Sequence, residues 1–118
     1  MTKKLAFLFP GQGAQYIGMG KDFYAQYPVA RQVFEEADDV LAQKLTSTIF
    51  SSSEAELTQT KNSQPAIFVV SLAILRTLQS LFGGLTPVAC AGLSLGEYSA
   101  LVAAGVLPFD KGLQLVQK

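Results

Sequence analysis

An α/β fold, a parallel sheet flanked by helices, is what this sequence predicts, and three observations carry it. Two short apolar runs far apart in the chain, Leu5-Ala6-Phe7-Leu8-Phe9 and Val88-Ala89-Cys90-Ala91, have the composition of buried strands. Helical patterns fill the chain between them and after the second. The second run turns sharply at Gly92-Leu93-Ser94-Leu95-Gly96 and continues as a helix, the local signature of a strand-to-helix crossover.

Leu5–Phe9, bounded by Lys4 and Pro10, reads as a central strand buried on both faces, followed by a tight Gly11-Gln12-Gly13-Ala14-Gln15 loop. Tyr16 to Lys21 contains Gly18 and Gly20 and is expected to be irregular. Pro28 to Leu45 is predicted as a helix, with Pro28 early, Val29, Val33, Phe34, Ala37 and Leu41 as its apolar stripe, and Glu35, Glu36, Asp38 and Asp39 as a solvated face. Ser51-Ser52-Ser53-Glu54 signals a short capped helix reaching Leu57, and Thr58 to Ser63 a polar connector. Gln64-Pro65-Ala66 then opens a helix through Leu81. Ile67, Val70, Leu72, Ile74, Leu75 and Leu78 leave it little polar face, so it belongs in the core, and Gly83-Gly84 stops it. The helix after Ser94 runs to Ala104 with Gly105 as its stop. Phe109-Asp110 reads as staple and N-cap for a last helix, Lys111 to Lys118.

The 118 residues suffice for one domain, 1–118, with no internal boundary, repeat or linker. Nine basic and nine acidic residues cancel, with no basic stripe to suggest nucleic acid. One cysteine, Cys90, excludes a disulfide framework and a Cys-based metal site. The apolar run after Lys4 is five residues long, short of the roughly 7–15 of a signal peptide. No uninterrupted apolar run approaches the ~20 residues that span a bilayer. These features predict a cytoplasmic protein without membrane or nucleic-acid partners.

The chemistry centres on Ser94. In Gly-x-Ser-x-Gly the serine occupies a strained turn, and its neighbours two residues away must be nearly side-chain-free for the backbones to pass. The turn sets the Leu95 N–H at a helix start, where unpaired amides and the positive dipole end stabilise an oxyanion. A second donor has to come from a loop at the carboxyl end of another strand, and Gln12 in the Gly-rich loop occupies such a place. That loop is a poor nucleotide binder: the third fingerprint glycine would fall on Tyr16, and no Gly-Lys-Ser/Thr is present. Gln64 reads as an ordinary polar residue at a helix start, Arg31 and Arg76 as surface residues, and Glu97 as a local capping group. The sequence has no histidine, which an activated serine ordinarily uses as its base.

Four stretches together resemble the malonyl-CoA:acyl carrier protein transacylase family, and they cover nearly the whole chain. They are Phe7 to Gln15 with Gly18-Met19-Gly20, Asn62-Ser63-Gln64-Pro65-Ala66-Ile67, Gly92 to Leu101, and Ala103-Ala104-Gly105-Val106-Leu107. The resemblance implies the following roles. Ser94 is the nucleophile that carries the acyl group, the amides of Gln12 and Leu95 form the oxyanion hole, and Gln64 lines the pocket. No metal or redox cofactor is implied, since coenzyme A and phosphopantetheine enter as parts of the substrates, malonyl-CoA and acyl carrier protein. Two departures stand out. Leu93 occupies the place of the family's usual histidine before the nucleophile, which implies altered packing beside the substrate. The family's chains are also much longer. Its carboxylate-binding arginine falls just beyond Lys118, and its histidine base and ferredoxin-like small subdomain later still, so the remainder of the same polypeptide is an expected partner. Two other readings compete. One is a serine acyl-hydrolase, of α/β-hydrolase or patatin-like type, which releases free acid to water. The other is a non-catalytic acyl-CoA or partner-binding module.

Overall fold

The structure, a computed structural model, describes residues 4–83 and 85–117. The chain runs β1 (Ala6–Phe9), α1 (Lys21–Gln26), α2 (Pro28–Leu41), α3 (Leu45–Ser51), α4 (Glu54–Thr58), α5 (Thr60–Leu81), β2 (Ala89–Gly92), α6 (Leu95–Ala103) and α7 (Phe109–Gln117). β1 and β2 pair in parallel, with Ala6 opposite Ala89 and Phe9 opposite Gly92. A parallel pair needs a long crossover, and the α1–α5 helices supply it. The predicted α/β fold is present.

α5 is the spine. It packs against α2, α4, α6 and α7, and Ala66, Phe68, Val69 and Leu72 along it are buried. Its length and composition are those of a membrane-crossing helix too, but more than half of its most apolar stretch is buried inside the protein. On one side Phe34 of α2 meets Tyr24 and Phe50 ring to ring, centroids 5.5 and 5.3 Å away. On the other, Phe68 stacks on Phe109 at 5.6 Å. Each such fully buried side chain contributes about 1.5–3 kcal/mol.

Five expectations are corrected. β1 is not buried on both faces: Phe7 and Phe9 are half-buried against the core, while Leu8 is 79% exposed. α6 packs against both strands from one side, and Ala6, Leu8, Ala89 and Ala91 line an open one. α2 stops at Leu41 rather than Leu45 because Ala42 turns left-handed (φ 54°) and its N–H closes on the Asp38 and Asp39 carbonyls. The chain restarts as α3, whose first turn Asp38 caps by accepting from the Thr46 N–H (3.0 Å) and hydroxyl (3.1 Å). The supposed connector Thr58–Ser63 is mostly helix. The Gln59 carbonyl accepts from the Asn62 and Ser63 amides, so α5 begins at Thr60 and Pro65 lies inside it. The bond that proline lacks is the one to the Lys61 carbonyl, on an exposed residue that water can serve. α7 starts two residues early, since the Gly112 N–H reaches the Pro108 carbonyl and Phe109 is already helical and buried.

Pro28 does open α2, and the Ser53 hydroxyl does cap α4, accepting from the Glu56 N–H at 3.1 Å. α1 and α3 have too few apolar residues in period to be read from sequence. Gly84 and Lys118, assigned to helix ends, lie outside the described residues.

Candidate active site

The register places the carboxyl ends of β1 and β2 side by side, so the Pro10–Gln15 loop and the Ser94 turn leave the sheet as neighbours. Three glycines make the approach possible. A Cβ on Gly92 would lie 2.1 Å from the Gly96 carbonyl carbon, one on Gly96 2.3 Å from the Phe9 carbonyl oxygen, and one on Gly11 2.8 Å from the Leu93 carbonyl oxygen. All three obstacles are backbone, which no rotamer can move aside. The Gly-x-Ser-x-Gly spacing is therefore a steric requirement of this turn, as the sequence predicts.

Ser94 itself has φ 55° and ψ −111°, a conformation costly to a residue with a side chain. Its side chain is exposed. Leu95, 3% exposed, anchors the first turn of α6 in the core. The Gly96 and Glu97 amides close on the Leu93 and Ser94 carbonyls (3.0 Å each), and among the described residues nothing accepts from the Leu95 N–H. The opposite loop is a turn closed by the Ala14 N–H on the Gly11 carbonyl (3.3 Å), with Gly13 left-handed at φ 107° and its N–H held by the Gln15 side chain at 2.8 Å. There too the Gln12 N–H engages no acceptor among the described residues. A serine hydroxyl exposed in a strained turn, with uncommitted amides in that turn and in the neighbouring Gly-rich loop, has the groups that attack on a carbonyl and oxyanion binding require.

The family model described as an acyl transferase domain matches residues 6–117. The chain belongs to that family. It is 53% identical over 115 residues to the malonyl CoA-acyl carrier protein transacylase of Bacillus subtilis, covering 98% of this chain and 36% of that protein. A relative from Drosophila melanogaster, described as a probable mitochondrial transacylase, is 47% identical over 112 residues, covering 93% and 29%. The fold matches the crystal structure of the Streptococcus pneumoniae transacylase (TM-score 0.91, 52% identity, 97% of this chain and 36% of that one). It also matches a malonyl-transacylase solved in complex with a type II polyketide acyl carrier protein (TM-score 0.91, 45% identity, 98% and 37%). The chain thus spans a little over a third of the length of these bacterial relatives.

Within this acyl transferase domain segment, the other candidates fall as follows. Gln64 is half-buried in the second turn of α5, not at its start. It lies one turn after Thr60, whose hydroxyl accepts from the Gln12 side chain at 3.3 Å, and so shares the face of α5 tied to the Gly-rich loop. Sequence reasoning missed Thr60, because it took a polar run for a connector. The signal was the capping chemistry: the Asn62 side chain closes α4 on the Glu56 carbonyl at 2.8 Å. The Leu93 side chain is 82% exposed among the described residues, and its carbonyl accepts from the Gly96 N–H at 3.0 Å. Glu97 is exposed and no side chain caps the start of α6, so the expected capping role is absent. Arg31 lies over the Tyr24 ring at 5.4 Å, while Arg76 lies over Phe109 at 4.9 Å and pairs with Glu36 at 3.5 Å.

Ser63 and Ser99 are fully buried, and their hydroxyls bond nothing among the described residues. No group of three or more acidic, histidine or cysteine side chains converges among those residues. A cavity of about 540 Å³ lies away from Ser94, along the other edge of β1. Its lining is mostly apolar, with Tyr16, Asp22 and Ser71 as the polar exceptions, and it does not include Ser94.

Proposed function

We propose that this chain is the nucleophile-bearing part of a malonyl-CoA:acyl carrier protein transacylase, an N-terminal portion of its large subdomain, working in the cytoplasm in fatty acid biosynthesis. The observation that carries this reading is Ser94, exposed in a strained turn whose Leu95 amide is uncommitted and which lies next to the Gly-rich loop bearing the uncommitted Gln12 amide. The Ser94 hydroxyl attacks the malonyl thioester carbonyl and loses its proton to a base. The oxyanion draws on the two amides, the thiol of coenzyme A leaves, and malonyl remains as a seryl ester. The phosphopantetheine thiol of acyl carrier protein then attacks that ester and carries malonyl away, regenerating the serine. Coenzyme A and phosphopantetheine are substrate parts, and the reading uses no metal or redox cofactor. The resemblance to the family assigns Gln64 and Leu93 to substrate contact, and the place of Gln64 one turn after Thr60, which the Gln12 side chain reaches, supports its part.

The base is not in these 118 residues, which contain no histidine. A serine nucleophile without its base retains only what the oxyanion hole and binding provide, orders of magnitude below full activity. This chain alone is therefore expected to be inactive, with the base and a cation for the malonyl carboxylate supplied by further polypeptide.

The test is to incubate the whole transacylase with malonyl-CoA, quench in acid, and map the added mass by peptide. The label is expected on the peptide carrying Ser94 and absent from Ser94→Ala. A label elsewhere, or undiminished labelling of the variant, rejects the assignment. Release of free malonate to water as fast as transfer to a thiol would favour the hydrolase alternative.

A further inference from the structure

The loop that carries the Gln12 amide has little of its own to hold it in place. Gly11 and Gly13 flank that residue without side chains, and a Cβ on Gly13 would meet nothing within 4 Å. Gln12, Gly13 and Ala14 are exposed. Two hydrogen bonds stay inside the loop, from the Ala14 N–H to the Gly11 carbonyl and from the Gly13 N–H to the Gln15 side chain. They fix the shape of the turn, and β1 anchors the end that enters it. One further bond leaves the loop for another element. The Gln12 Nε2 donates to the Thr60 hydroxyl at 3.3 Å, across 48 residues of chain.

Thr60 is the first residue of α5, and its own place is well set. The Gln59 carbonyl accepts from the Asn62 and Ser63 amides at 2.8 Å each, and the Asn62 side chain reaches back to the Glu56 carbonyl at 2.8 Å. Ser63, Pro65 and Ala66, which follow within two turns, are buried in the core. The far end of the tether is therefore the start of the helix on which the rest of the fold packs. A glutamine held at its Nε2 cannot swing its Cα freely about the turn, and the Gln12 N–H moves with that Cα.

We infer that Thr60 is a positioning residue for oxyanion binding: its hydroxyl tethers the Gln12 side chain and so keeps the Gln12 amide aimed at the Ser94 turn. This assignment rests on the transacylase reading, in which that amide is one of the two oxyanion donors. Thr60 acts through Gln12 and makes no contact with the reacting atoms itself. Its part is in the rate of acylation and not in the binding of malonyl-CoA. The charge on the oxyanion develops only as the serine attacks, so a loosened donor weakens the transition state and leaves the substrate complex as it was. Both partners are exposed among the described residues. Water can replace the bond when it is lost, and the stability of the fold depends on it little.

The experiment uses the whole transacylase with three substitutions. Thr60→Val keeps the shape and removes the hydroxyl, Thr60→Ser keeps the hydroxyl, and Gln12→Ala removes the tethered side chain but keeps the backbone amide. Rapid-quench labelling over a range of malonyl-CoA concentrations gives the maximal rate of Ser94 acylation and the half-saturating concentration. Thr60→Val is expected to slow the maximal rate by about tenfold, short of the ~10²-fold of a 1 Å misplacement because the bonds inside the loop remain. Its half-saturating concentration should change by less than about twofold and its melting by less than about 2 °C. Thr60→Ser should acylate within about threefold of the parent. Gln12→Ala should lose about as much as Thr60→Val, and the double variant no more than either, since each breaks the same tether. A Thr60→Val protein that acylates within about twofold of the parent overturns the assignment. So does a loss that serine does not restore, or losses that multiply in the double variant. A loss confined to the half-saturating concentration would make Thr60 a direct substrate contact, and a large fall in melting would make it structural; either overturns the assignment too. A parent with no label on Ser94 rejects the transacylase reading itself, whereas a normally labelled parent with an indifferent Thr60 rejects only the tether.

Discussion

Replacing Gly96 with alanine tests how much of the site depends on the seam between β1 and α6. The new methyl would sit 2.3 Å from the Phe9 carbonyl oxygen, 3.1 Å from the carbon that bears it and 3.2 Å from the Pro10 carbonyl oxygen. Relief requires the strand end and the helix start to separate by about 1 Å before ordinary contact is restored. Overpacking of this kind costs about 1–3 kcal/mol, and the upper half applies because both sides are backbone. At roughly 4 °C per kcal/mol for a domain of this size, melting should fall by about 8–12 °C. The same opening moves the Gln12 and Leu95 amides apart, since one lies on each side of the seam. Oxyanion donors act at about 2.7–3.1 Å, and a 1 Å misplacement costs on the order of 10²-fold. Thermal unfolding of this chain and the rate of Ser94 acylation in the whole transacylase read the two effects. Gly83→Ala is the control: nothing lies within 4 Å of its added methyl, and its effect should stay within about 0.5 kcal/mol. A Gly96→Ala protein that melts within about 2 °C of the parent and acylates within about twofold would refute the steric account of the motif.

Ser94→Gly relieves the φ 55°, ψ −111° conformation that Ser94→Ala retains. In paired denaturant titrations the glycine variant should be more stable than the alanine one by about 1 kcal/mol, with both unlabelled by malonyl-CoA, and equal stabilities would contradict backbone strain. Ser99→Ala removes a buried hydroxyl with no partner among the described residues, so it should be neutral or stabilising by up to about 1 kcal/mol, and a loss of 2 kcal/mol or more would reveal a partner for it. Leu93→His exchanges one exposed side chain for another. Stability should change by less than about 0.5 kcal/mol and turnover by under about tenfold, whereas a several-hundredfold loss would place the leucine in the reacting geometry.

Some of this protein was determined by sequence alone, for a local reason. The turn at Gly92–Gly96 and the left-handed Gly13 are demands on single φ, ψ pairs and on Cβ atoms that cannot be accommodated, so the residue types announce them. The same holds for Pro28 at the start of α2 and for the Ser53 cap, each complete within one helical turn. The apolar density of residues 66–75 likewise required a buried helix, because so little polar face remains to meet water.

Tertiary structure decided the rest. Where α2 ends depends on the Ala42 turn and on the Asp38 carboxylate reaching Thr46, a contact across a turn that no periodicity encodes. The true start of α5 depends on the Gln59 carbonyl and the Asn62 side chain, polar groups that carry no hydrophobic signal. The apolar run Ala6–Phe9 looked buried on both sides, but burial belongs to what packs against a strand, and only one face of this one is covered by the described residues. That the Gln12 loop stands beside Ser94 follows from the parallel register of Phe9 with Gly92, residues more than 80 apart in the chain, and pairing over such a separation is fixed by the assembled core and not by either segment.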